Sequence, residues 1–158
     1  MKLVIVLLIG FITGGVVSWI VNMNILGKAS SQNYKMSEKH LSIMLLLNRF
    51  LQIKQEKKSV SSYLEKRGIH TVAIYGMSYV GERLYVELED GNVRVAYGID
   101  RKAGSGISGF MVYSPEEKLP PVDAIVVTPT FFFESIYRDL SDKVSCPIIS
   151  LEEILYEV

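Results

Sequence analysis

The residues with the clearest chemical spacing are Gly76, Ser78 and Gly81, which follow the β-branched and apolar run Thr71–Tyr75 and open a segment of helical periodicity. In a dinucleotide fingerprint, the first small residue after a buried strand permits a tight turn. The second lets main chain approach a pyrophosphate, and the third lets helix pack on strand. Gly76, Met77, Ser78, Tyr79 and Gly81 are therefore the expected phosphate end of a nucleotide site. Ser78 stands where the middle glycine would, so its Cβ and hydroxyl make binding weaker, differently arranged, or lost. The ribose end is expected at Asp100, nineteen residues beyond Gly81, where a carboxylate at the end of a second strand accepts from a ribose hydroxyl. The competing expectation for Asp100 is a solvated turn residue. Arg101 and Lys102 beside it either meet a phosphate or stay solvated.

The spacing singles out no catalytic residue, although an NAD-dependent enzyme stays open. Hydride-transfer enzymes often use a tyrosine acidified by a lysine four residues on, but Tyr63 meets Arg67 and Tyr97 meets Arg101 at that spacing. Cys146 is the only cysteine, which excludes an intrachain disulfide, and no Cys/His cluster has zinc-ligand spacing. With nothing basic near it in sequence, Cys146 is a core residue rather than a nucleophile. His70 is expected to be an ordinary edge histidine.

The elements that must position these residues follow from the pattern. Thr71–Tyr75, continuously apolar or β-branched, is a parallel strand buried on both faces, and Glu82–Glu89 is the helix after the turn. Val93–Ile99 is the second strand, Lys102–Ser108 a loop, Phe110–Tyr113 the third strand and Ser114–Glu117 a turn opened by a cap and proline. Val122–Thr128, ended by Pro129, is the fourth strand; Phe131–Lys143 is a helix with Phe132, Ile136 and Leu140 on one face. Cys146–Ile149 is the fifth strand, and Leu151–Tyr156 a closing helix with Ser150 as cap. The expectation is an α/β, Rossmann-like three-layer domain over residues 69–158, with a five-stranded, mostly parallel sheet and a core of Val72, Ile74, Val95, Ile99, Ile125, Val127 and Ile148.

Upstream, residues 37–68 form a helical segment: Ser37–Lys57, then Val60–Arg67 capped by Ser59 and stopped by Gly68. Leu41, Met44, Leu45, Leu47, Phe50 and Leu51 are too many for one narrow stripe, so this helix either buries both sides or buries one and offers the other to a partner. Residues 27–36, with the small polar run Gly27–Gln32, are expected to be a linker. Residues 1–26 hold Leu3–Val21, nineteen residues without a charge, which at about 1.5 Å per residue nearly match a hydrocarbon core of roughly 30 Å. This is the expected transmembrane anchor, with a cleaved signal peptide or a buried strand as alternatives. Gly10, Gly14 and Ser18 share one face and would let two such helices approach closely as a homodimer. Lys28, Lys35 and Lys39 after the span, against Lys2 before it, predict a cytoplasmic carboxyl-terminal domain.

The net charge is zero, but Lys28–His70 carries nine Lys/Arg against three Asp/Glu, and Thr71–Val158 seven against fourteen. An acidic domain behind a basic collar argues against nucleic acid as the domain's partner. The collar fits an inside-positive membrane flank.

Several strings resemble a known family: L-N-R-F-L-Q-I-K-Q-E-K-K-S-V-S-S-Y-L-E-K-R-G at Leu47–Gly68, V-A-I-Y-G-M at Val72–Met77, G-E-R-L at Gly81–Leu84, Y-G-I-D at Tyr97–Asp100, P-V-D-A-I-V-V-T-P, and C-P-I-I-S-L-E-E-I-L. Together these look like bacterial Rossmann-like modules that accompany capsular and other surface-polysaccharide biosynthesis proteins, sometimes fused to glycosyltransferases or methyltransferases. The resemblance covers about two thirds of the chain and implies a nucleotide-sugar-binding-like module beside a glycosyltransferase or other polysaccharide enzyme. The middle glycine usual in such turns is Ser78 here. Three functions stay open from the sequence: a membrane-anchored nucleotide- or nucleotide-sugar-binding accessory module, a ligand-free scaffold for polysaccharide enzymes, and an NAD-dependent oxidoreductase or epimerase.

Overall fold

The computed structural model describes the backbone of residues 2–102 and 110–158, and side chains over the same range except in residues 2–17, 20–21 and 24–30. The chain divides into two units, Met1–Leu41 and Ser42–Val158. The first is helical, as the leading part of α1 (Lys2–Gln55). The expected break at Gly27–Gln32 and the fresh start at Ser37 do not occur, because the backbone stays helical through both. No proline precedes Pro115, and one glycine costs a helix only about 1 kcal/mol against alanine. Of the expected span Leu3–Val21, only Ser18 and Trp19 have described side chains, both exposed, and the surroundings of Gly10 and Gly14 are outside what is described. Among the described residues, no helix is long and apolar enough to cross a membrane.

The second unit is an α/β domain. After the end of α1 come α2 (Val60–Lys66), β1 (Thr71–Tyr75), α3 (Tyr79–Glu89), β2 (Arg94–Ile99), β3 (Val112–Tyr113), β4 (Ala124–Val127), a 3-10 turn (Thr130–Phe132), α4 (Phe133–Ser141), β5 (Ile148–Ser150) and α5 (Leu151–Glu157). The strands form one sheet in the order β3-β2-β1-β4-β5, and every pairing is parallel. That order is compatible with a Rossmann-like fold.

The central strands are apolar on both sides because both faces are covered. Val72, Ile74, Ala124 and Val126 pack with residues from the end of α1 and from α2, α3 and α5. Ala73, Tyr75, Tyr97, Ile99, Ile125 and Val127 meet Ile136 and Leu140 of α4 on the other face. Five of the seven expected core residues are buried, whereas Val95 and Ile148 are half-buried. The reason is position: β5 is an edge strand, and β3 covers β2 only at Gly98 and Ile99.

From Ser42 onward α1 buries Leu46 and Ile53 and leaves Met44, Leu45 and Leu51 exposed. It therefore buries one side only. Arg49 Nε donates to the Leu155 carbonyl at 2.9 Å, tying this helix to α5. The Ser59 hydroxyl caps α2 by accepting from the Ser62 amide at 3.3 Å, and Gly68 follows at φ +75°, both as expected. Several boundaries differ from expectation, among them the fifth strand, which is Ile148–Ser150 rather than Cys146–Ile149. Helix α3 starts at Tyr79 rather than Glu82, which puts Gly81 in its first turn, and the helix after β4 opens with the 3-10 turn. The third strand is cut to Val112–Tyr113, and most of the expected loop Lys102–Ser108 lies outside the described residues.

Candidate functional site

In this strand order the chain leaves β1 toward one edge and β4 toward the other, so a crevice opens outside their carboxyl ends. Gly76 ends β1 and Thr128-Pro129 end β4. Gly76 adopts φ +90°, and a Cβ there would lie 2.7 Å from the Pro129 ring and 2.9 Å from Thr128 Oγ1. The Thr128 hydroxyl is shared between the carbonyls of Gly76, at 2.7 Å, and Tyr75, at 3.1 Å. A Cβ on Gly81 would come within 2.0 Å of the Gly76 carbonyl oxygen. Both glycines are thus demanded by packing, with or without a ligand.

Asp100 is half-buried and bonded on both oxygens. Its Oδ2 accepts from the Met77 amide at 2.9 Å and its Oδ1 from the Lys102 amide at 2.9 Å. The acid at the end of β2 therefore ties down the turn after β1. Met77 is buried over Gly98, where a Cβ would stand 2.7 Å from Met77 Cγ and 3.1 Å from Phe110 Cε1. Ser78 is the residue before the first turn of α3, but its side chain makes no capping bond. It is exposed, as is Tyr79.

A pocket of about 320 Å3 occupies the crevice. Tyr75 and Gly76 lie at its base, Asp100 and Arg101 on the β2 side, and Pro129, Phe132, Ser135 and Ile136 on the β4–α4 side. Of the seven expected site residues, the structure brings Gly76, Asp100 and Arg101 together here. Met77, Ser78, Tyr79 and Gly81 do not line this pocket, since Met77 and Gly81 are turned into packing and Ser78 and Tyr79 face outward. Phe132 and Ser135 are the residues sequence reasoning missed. The available signal was the T-P-T-F-F-F string just after an apolar strand, which gains meaning only once β4 is known to neighbour β1.

Two groups away from the pocket are shifted by burial. Burial pushes the Cys146 thiol up, which disfavours the reactive thiolate. Burial likewise pushes Tyr97 up to about 12, and its hydroxyl donates to the Pro120 carbonyl at 2.5 Å. Among the described residues no group of His, Cys, Asp and Glu is placed to hold a metal ion. Among the described residues the pocket offers the Arg101 cation, the engaged Asp100 carboxylate, the Ser135 hydroxyl and the Phe132 ring, a set suited to holding a polar ligand with a planar part.

Compared with known proteins, the chain matches no family model, no curated protein and no solved structure.

Proposed function

We propose that the second unit binds a nucleotide or nucleotide-sugar at the carboxyl end of its sheet, as a membrane-anchored accessory module of surface-polysaccharide biosynthesis. The carrying observation is that the glycine turn, Arg101 and the aromatic Phe132 meet around one pocket at the β1–β4 crevice. The Arg101 guanidinium has no hydrogen bond or ion pair among the described residues, which leaves it available to a phosphate. The resemblance to polysaccharide-associated modules supports the biological setting. Calorimetric titration of the full-length chain with nucleoside diphosphates, nucleoside diphosphate-sugars and NAD tests the proposal. Absence of heat at millimolar concentration for all three overturns it.

A specific observation favours a second reading, the ligand-free scaffold. Both Asp100 oxygens already serve the protein's own amides, so the acid has a structural task in the absence of any ribose. The same titration decides between the two.

The anchor is Leu3–Val21, with the second unit on the cytoplasmic side and a glycosyltransferase or other polysaccharide enzyme as partner. A carboxyl-terminal reporter active only outside the cell should give no signal. Strong signal overturns the orientation.

A further inference from the structure

We infer that the nucleotide site continues into a second lobe on the α4 side of the sheet, and that this lobe takes the sugar of a nucleoside diphosphate-sugar. The inference rests on the nucleotide reading above and narrows it. A second hollow of about 300 Å3 shares Tyr75 and Arg101 with the first and is otherwise walled by Ser114–Glu116 on one side and by Asp139 and Leu140 of α4 on the other. Each lobe is at the lower end of the range for small-molecule clefts, roughly 300–1,000 Å3, and the two together match a ligand with two bulky ends.

The second lobe exists because of how the chain crosses this face. Between β2 and β4 the face is covered near Tyr97 by the half-buried Leu119 and Val122, and α4 covers the other half. The wall is built before any ligand arrives. The Ser114 amide donates to Glu117 Oε1 at 2.7 Å, and the Glu117 amide returns to the Ser114 carbonyl at 3.0 Å. Lys143, just beyond α4, then donates to the Pro115 carbonyl at 3.1 Å and pairs with Glu116 at 3.3 Å.

The chemistry differs between the lobes. The first has Phe132, Pro129 and Ile136, an apolar wall for a planar base. The second has Ser114, Glu116 and Asp139, oxygen acceptors of the kind that sugar hydroxyls donate to. Arg101, common to both, is among the described residues the one cation lining either lobe, so the anionic diphosphate belongs at the junction. Asp139 and Glu116 place negative charge nearby, and an isolated diphosphate gains little there. The attached sugar supplies the remaining contacts.

The test is calorimetric titration of the full-length chain with uridine, cytidine, guanosine and thymidine diphosphates, each with and without an attached hexose. For the base that binds, the hexose should tighten binding about threefold to tenfold, the worth of a net hydrogen bond or two. Asp139→Asn should cut that gain and, because it also lifts a repulsion, should not weaken the free diphosphate. Arg101→Ala should weaken both ligands by about tenfold or more. The two residues changed, Arg101 and Asp139, are exposed, so matching melting temperatures will show that the variants fold. If no diphosphate binds in either form this inference falls, and if NAD is silent as well the nucleotide reading falls with it. If diphosphates bind but the hexose adds nothing, or Asp139→Asn costs nothing, the inference alone is overturned.

Discussion

The Met77 amide donates to the Asp100 carboxylate at 2.9 Å, across the gap between the turn after β1 and the end of β2. Since the other oxygen of Asp100 accepts from Lys102, a single side chain fixes the turn and the start of the following loop. Asp100→Ala should therefore destabilise the ligand-free chain by about 1.5–3 kcal/mol, the range for hydrogen bonds to a charged group. Chemical denaturation without ligand checks this. An unchanged midpoint would mean that Asp100 is free for a ligand and that the turn holds without it.

Gly81 and Ser78 should respond in opposite ways. An alanine methyl at Gly81 meets the Gly76 carbonyl oxygen at 2.0 Å, so either the first turn of α3 or the end of β1 must move, at a cost of about 1–3 kcal/mol. Ser78→Gly removes an exposed side chain that makes no capping bond, and stability should change by only a few tenths of a kcal/mol. Paired thermal melts of the two variants provide the comparison. A Ser78→Gly loss as large as that of Gly81→Ala would show that the serine supports the helix start.

Much of this arrangement was legible in the sequence, for identifiable reasons. Thr71–Tyr75 and Ala124–Val127 are buried on both faces, and their unbroken apolar runs carry that signature. Gly76 was legible because its φ of +90° excludes most other residues. The pocket's far wall was not legible. Phe132 and Ser135 share a pocket with Gly76 only because β4 lies next to β1, and adjacency between strands separated by about fifty residues is a tertiary fact that periodicity does not encode. The role of Asp100 was half legible: its place at the end of β2 followed from spacing, whereas its bond to Met77 depends on how sharply the turn folds back. The length of α1 was misjudged because small polar residues lower helix propensity only slightly, and no proline stands in their midst.

Lys54 and Glu87 join the end of α1 to α3, with Lys54 Nζ 2.5 Å from Glu87 Oε2. The Glu87 side chain is 5% exposed, whereas that of Lys54 is 54% exposed. Lys54→Met leaves a carboxylate out of water without its partner and should cost about 1–3 kcal/mol. Glu87→Gln with Lys54 retained should cost less, because the ammonium reaches solvent. Urea unfolding of both variants measures the asymmetry, and equal losses would show that the ion pair itself, rather than the stranded carboxylate, is what stabilises the contact.

Asp123 joins the starts of β1 and β4 and makes stability depend on acid. Its Oδ2 accepts from the Thr71 hydroxyl at 2.9 Å, the His70 amide at 3.0 Å and the Thr71 amide at 2.7 Å. These bonds, the Thr71 hydroxyl first, hold its carboxyl below the ordinary carboxylate value. A carboxylate whose pKa is lower folded than unfolded contributes stability that is fully present above the unfolded value. That contribution is lost as pH falls through the folded one. Wild type should therefore lose more stability between about pH 5 and about pH 2 than Asp123→Asn, while at neutral pH wild type should be the more stable of the two. Melting temperatures of both proteins across that range check the sign. Parallel acid limbs would show that Asp123 titrates alike in the folded and unfolded chains, and the strand-start hydrogen bonds would then have no share in the acid sensitivity of the fold.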